Sequence, residues 1–218
     1  MKKKRLILIG VIIISILLIT AIIINKVTQE ENSKLSEIYK KMMGNQTYTF
    51  TTYDLGENNK KITYRKVDKT LIDQYESGEH RSTLVVEGDT YLIAHETEEY
   101  FYYPNSNLDE ETLTERLKNI IDLEYTEGKE KIYGKTYKYE EYSGISYFVT
   151  PKAAIAVAES VKTRFYFKGN ELVYLKTIYE EINENTGEKV QAEELQTVKV
   201  EYNVEEGVFT IPQHYAEN

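Results

Sequence analysis

The chain has 218 residues, a formal net charge of −9, 20 tyrosines, three histidines, and neither cysteine nor tryptophan. Four of its positive charges are Lys2, Lys3, Lys4 and Arg5, so the residues beyond them carry −13. That balance excludes nucleic acid and anionic lipid headgroups as targets of the folded part, because both select basic surfaces.

The chain opens with this basic tail, residues 1–5, followed by LILIGVIIISILLITAIIIN at residues 6–25, an unbroken uncharged run. A bilayer core about 30 Å thick is crossed by roughly 20 helical residues. Basic residues on the short side hold that side in the cytoplasm. Residues 6–25 are therefore expected to be a transmembrane helix in the plasma membrane, with the N-terminus cytoplasmic and the rest extracytoplasmic. A cleaved signal fits less well, since its apolar stretch is usually about 7–15 residues and ends at a small-x-small site. Here Ala21 is followed by three isoleucines. Gly10 is the only glycine of the run, so no G-x-x-x-G pairing face exists. Cysteine-free exported domains are a Gram-positive habit; their cores rely on packing without disulfides.

Residues 26–32 read as a polar stalk and residues 33–218 as one domain. Leu35, Ile38, Tyr39 and Met42 recur at helical spacing, predicting a helix over Ser33–Met43 with Asn32 or Ser33 as its cap and Gly44 at its end. Strands are predicted next. Tyr48 and Phe50 alternate with threonines over Thr47–Tyr53, and Lys61–Val67 and Leu71–Glu76 follow. Leu84–Val86 and Thr90–His95 flank Glu87-Gly88-Asp89 as a hairpin, and Glu99–Tyr103 extends the meander. A second helix is expected over Leu108–Ile121, capped by Asn107, with Leu113, Leu117, Ile120 and Ile121 as its apolar stripe. Further strands are expected at Lys131–Tyr133, Lys135–Tyr142, Ile145–Thr150, Val161–Phe167, Leu172–Ile182, Val190–Tyr202 and Phe209–Ile211. Turns are read at Lys168–Glu171 and Asn185–Glu188, and residues 153–158 fit either a short helix or a buried strand. No connection has βαβ character, so the sheet should be antiparallel. The fold class is α+β, mostly antiparallel β. Ten or eleven twisted strands tend to curl, which gives a half-open β-barrel with both helices on its concave side.

Catalytic chemistry finds little footing. His80, His95 and His214 lie far apart with no H-x-x-x-H spacing, so neither a metal centre nor a cofactor is expected, and His95 reads as a surface residue. The acidic doublets, Glu140-Glu141 among them, read as solvated faces, because neighbours on a strand point to opposite sides. Ser143-Gly144-Ile145-Ser146 does not match a nucleophile elbow. The chain reads as a non-enzyme.

Three local patterns carry a resemblance. They are Met42 followed by Tyr48-x-Phe50, the hairpin Val85-Val86-Glu87-Gly88-Asp89-Thr90-Tyr91, and the ending Phe209-Thr210-Ile211-Pro212-x-x-Tyr215. Over residues 33–216 the chain resembles the LolA-like superfamily, which includes lipoprotein carriers, mycobacterial lipid-binding lipoproteins and clostridial spore-germination lipoproteins of the GerS type. The resemblance implies a half-barrel whose concave face holds acyl chains or receives an envelope protein. A membrane helix in place of a lipidated cysteine implies holding at the membrane rather than shuttling. The residues expected to line that face are Tyr48, Phe50, Leu84, Val86, Tyr91, Ile93, Phe165 and Phe167, closed by Leu113 and Leu117. The expected ligand is lipid-like. The alternative is a scaffold or activator of a cell-wall enzyme, acting by protein contact through sheet edges that could equally pair a homodimer.

Overall fold

The computed structural model describes Thr20 and residues 33–54, 56, 58–106, 113–143, 161–182 and 187–218. The apolar run apart from Thr20, the stalk, the cap Asn107 with residues 108–112, the strand expected at Ile145–Thr150, the ambiguous residues 153–158 and the first half of the Asn185–Glu188 turn lie outside them. Among the described residues no helix is long and apolar enough to cross a membrane.

The first helix, α1 (Lys34–Asn45), starts where expected. Ser33 is its cap, with its hydroxyl accepting from the Ser36 N–H at 3.1 Å. It ends later than Gly44. The left-handed closing residue is Gln46, at φ 47°, whose N–H returns to the Met42 carbonyl. The sheet then builds as a meander: β1 (Thr47–Asp54), β2 (Lys60–Lys66), β3 (Lys69–Glu76), β4 (Glu79–Val86), β5 (Asp89–Ala94) and β6 (Glu99–Tyr103). Tight loops set the register. Ser77-Gly78 and Glu87-Gly88 both hold positive φ at both positions, the type I′ sign that matches strand twist. Helix α2 (Leu113–Ile121) follows, then β7 (Tyr125–Ile132), β8 (Lys135–Ser143), β9 (Lys162–Lys168), β10 (Glu171–Ile182) and β11 (Lys189–Glu201). The segment expected as a strand at Phe209–Ile211 is not one. A single 3₁₀ turn, Glu206–Val208, precedes it, and Phe209 is buried in a cluster instead. A two-residue β12 (Ala216–Glu217) ends the chain.

Among the described residues, all strands join one open sheet of 12, in the order β12-β6-β5-β4-β3-β2-β1-β11-β10-β9-β8-β7. Pairing is antiparallel throughout except for β12, which runs parallel to β6. β1 and β11 join the two halves of the sheet, with Phe50 facing Val200.

Register separates the two faces. Phe50, Thr63, Ile72, Thr83 and Leu92 stand in one row, and Thr49, Tyr64, Leu71, Leu84 and Tyr91 in the next, pointing the other way. On the first face, α1 and α2 pack over β1 and β7–β11. Leu35, Met42, Leu117 and Ile120 meet Tyr48, Phe50, Phe165, Leu175 and Val198 there. On the opposite face, over β3–β5, residues 204–215 lie across Leu71, Leu84 and Ile93, contributing Val204, Phe209, Ile211 and Tyr215. Burying a side chain of this size stabilises by about 1.5–3 kcal/mol, so each half has its own core and its own cover.

Candidate functional site

The ten residues expected to line one groove divide between the two faces. Tyr48, Phe50, Leu117, Phe165 and Phe167 belong to the helix-covered core. Leu84, Val86, Tyr91 and Ile93 belong to the core beneath the C-terminal segment. Leu113 opens α2, and its side chain lies outside the described residues. The reason is register: one residue of offset between paired rows sends a side chain to the other face. Alternation within each strand is legible in sequence, whereas the offset between distant strands is not.

The helix side does contain a cleft. It runs between α1 and β10–β11, holds about 580 Å³, and has Ile38, Leu172, Val198 and Val200 among its lining residues. Glu37, Lys41, Glu171 and Lys199 bring charges of both signs to it. Tyr202 also lines it, with the Lys41 ammonium 3.9 Å from its ring centre. None of the nine expected residues whose side chains are described lines this cleft. A second cavity of about 280 Å³ lies beside Lys34, Glu127, Tyr139, Glu140 and Phe167.

Glu140, which lines this second cavity, ties down the start of α1. It is buried, contrary to the solvated face expected of an acidic doublet. Its carboxylate accepts from the backbone N–H of Lys34 (2.6 Å) and Leu35 (3.3 Å), and from the hydroxyls of Ser33 and Tyr142 (both 3.0 Å). A carboxylate at a helix N-terminus meets both orphan donors and the positive end of the helix dipole. Burial and the adjacent Glu140 charge raise the Tyr142 phenol well above its ordinary pKa.

Its neighbour Glu141 points to the other face and meets Arg164 Nε at 2.6 Å. Arg164 also reaches Glu130 (2.7 Å) and stacks over Tyr139. Lys176, also buried, pairs with Glu130 and with Glu193 (3.1 Å), while the Tyr166 hydroxyl donates to Glu130 at 2.6 Å. Tyr133, Tyr137 and Tyr174 continue the aromatic surface on this side. A Cβ at Gly128 would come within 2.3 Å of Tyr139 Cζ, so a larger residue there would push the outer end of that ring aside.

A third cluster brings together residues that sequence spacing held apart. The β4–β5 hairpin sets His80 opposite His95, with the His95 N–H bonded to the His80 carbonyl at 3.2 Å. Their rings stack 3.6 Å apart, and Tyr75 stacks on the outer side of His80. Asp73 and Ser82 face each other across β3 and β4. Ser82 Oγ lies within hydrogen-bond reach of Asp73 Oδ1 and is 2.6 Å from His95 Nε2; His95 Nδ1 is 2.9 Å from the Tyr215 hydroxyl. The direction of this chain follows from its ends. An ionised Asp73 only accepts, so Ser82 donates to it; His95 Nε2–H donates to Ser82, and Tyr215 donates to Nδ1. Burial and the adjacent His80 hold His95 below the ordinary imidazole pKa, which keeps it neutral as this chain requires. The same polarity, with Ser82 buried, makes Ser82 no nucleophile. His95 is thus no lone surface residue. Metal-ligand spacing is a local signal, and it misses two histidines joined across a hairpin.

No family model and no curated protein matches the chain. Among solved structures, it is similar to an uncharacterized conserved protein from Thermus thermophilus, at 11% identity and a TM-score of 0.45, over 85% of this chain and 99% of that one.

Proposed function

We propose that the chain is a membrane-anchored, extracytoplasmic binding protein that holds an apolar, acyl-like ligand between α1 and the sheet. In this reading residues 6–25 are the anchor, and the sheet curls as a LolA-like half-barrel around the two helices. The observation that carries it is the cleft of about 580 Å³ lined by Ile38, Leu172, Val198 and Val200 among charged residues. Its size lies within the roughly 300–1,000 Å³ of small-molecule sites. The apolar lining suits an alkyl chain, whose burial is worth about 25 cal/mol per Å². Lys41, Lys199, Glu37 and Glu171 suit the polar head of an amphiphile. The chemistry is binding and not bond making.

A second reading, docking of an envelope protein or a second copy, rests on a different observation: the tyrosine-rich face around Tyr133, Tyr137, Tyr139 and Tyr174. Tyrosine is enriched at protein interfaces.

Native mass spectrometry of the chain from residue 30 onward, with its fold checked by circular dichroism, separates the two. The ligand reading expects an added mass that organic extraction releases as an amphiphile, and its loss in Val200→Lys. A clean apo mass with no uptake of added fatty acid or phospholipid overturns it and transfers the case to the tyrosine face.

A further inference from the structure

We propose that Asp73, His80 and His95 form a binding site for one divalent transition-metal ion of the zinc class, with Tyr215 as its outer support. Four observations converge, none of them involving the cleft beside α1. The first is proximity: one ligand atom from each of the three residues lies within 4.8 Å of the others. The second is an unmet need. His80 Nε2 is buried without a hydrogen-bond partner, 3.6 Å from Asp73 Oδ1. A buried polar atom left unpaired is destabilising, and a metal bond would satisfy it. The third is donor type. Two imidazoles and a carboxylate suit zinc, cobalt, nickel or copper, and not calcium or magnesium, which favour all-oxygen shells. The fourth lies one bond further out. The nitrogen of His95 turned away from the cluster is held by the Tyr215 hydroxyl at 2.9 Å, the outer hydrogen bond that metal-ligating histidines usually make.

The local framework suits a fixed site. Asp73 lies on β3 and His80 on β4, while His95 directly follows β5, so paired strands set the spacing. The imidazole planes are 4° from parallel, and in-plane lone pairs of parallel rings do not converge. Binding therefore swings one ring out of the stack. His80 is the ring that moves, because its Nε2 has no hydrogen bond to give up, whereas both nitrogens of His95 are engaged. His95 changes tautomer on binding: Nε2 gives its proton to solvent and takes the ion, Nδ1 gains one from solvent, and Tyr215 turns from donor to acceptor. Ser82 or a water fills the fourth position. Tyr215 belongs to the segment covering β3–β5, so the ion would also fasten that segment to the sheet.

The test uses the full chain in detergent, without a polyhistidine tag and stripped by chelator. Zn²⁺ is titrated calorimetrically and Co²⁺ by visible absorption. The expected result is one ion per chain, with the d–d bands of a low-coordinate cobalt site. Asp73→Asn and His80→Phe should each abolish the bands; the latter keeps a ring in the stack and removes the nitrogen. Tyr215→Phe should weaken binding by about 10-fold or more, and His214→Ala should leave it unchanged. Absence of stoichiometric binding overturns the proposal. So does binding that survives His80→Phe and Asp73→Asn, or binding that disappears with His214→Ala. These outcomes are independent of whether lipid co-purifies.

Discussion

Glu130 lies in a segment, Thr126-Glu127-Gly128-Lys129-Glu130-Lys131, with no apolar residue to announce a strand. It nonetheless sits on β7 at the centre of a half-buried ion-pair group with Arg164 and the buried Lys176. Burial alone would raise its pKa, but hydrogen bonds from Lys176, Tyr166 and Arg164 win and bring it down to about 2. A depressed folded-state value means that ionised Glu130 stabilises the fold above its unfolded value of about 4.5, and that this contribution disappears as pH falls towards 2. Glu130→Gln should cost about 1.5–3 kcal/mol at neutral pH, the range for hydrogen bonds to charged groups. Denaturant unfolding at a series of pH values should show the wild-type stability falling across that acid window and the variant falling less. Parallel pH slopes for the two proteins would remove Glu130 as the cause. At this scale the sequence was least legible. Glu140, Glu130 and His80 all have exposed-looking neighbours, and only their cross-strand partners give them a role.

At the scale of elements, local patterns carried further. The i, i+3, i+4, i+7 stripe and Ser33 located α1. Glu87-Gly88-Asp89 and Lys168-Gly169-Asn170-Glu171 located the β4–β5 and β9–β10 hairpins. The unrecognised elements have a common cause: the first half of β4 and residues 126–131 of β7 contain no apolar side chain, because they bury little and are ordered by their neighbours. The tie between α1 and β8 was also invisible, since Glu140 is 106 residues from Lys34. Glu140→Gln should loosen that tie. One carboxylate oxygen accepts from Lys34 N–H and the other from Ser33, Leu35 and Tyr142. An amide –NH₂ must therefore face donors on one side. A loss of about 1–3 kcal/mol is expected, with faster amide exchange in α1 and unchanged exchange in β3–β5. Equal acceleration in both regions would show that the clasp is not local.

At the scale of the molecule, the antiparallel, strand-rich class was legible from alternation and turn spacing, and the single open sheet of 12 strands agrees with it. The division into two cores on opposite faces was not, because an alternating strand shows which residues share a face but not what covers it. The C-terminal segment illustrates this. Phe209 and Ile211 look like strand residues and serve as a lid. Ending the chain after Tyr202 should bare Leu71, Leu84 and Ile93. The expected outcome is strong binding of an apolar fluorescent dye with the α1 core retained, read by dye emission together with helical circular dichroism. A truncated chain that takes up no dye would mean the lid is dispensable.

The clasp at the start of α1 has a mechanical consequence. Tension arriving from the N-terminal side meets Ser33 and Lys34 first, and from there it passes through the Glu140 carboxylate into β8, one strand from the edge of the sheet. Tension on the other terminus meets β12 first, two residues long and held along one side, and only then the segment that packs Phe209, Ile211 and Tyr215 on the sheet. Pulled from both ends, the domain should give way first at β12.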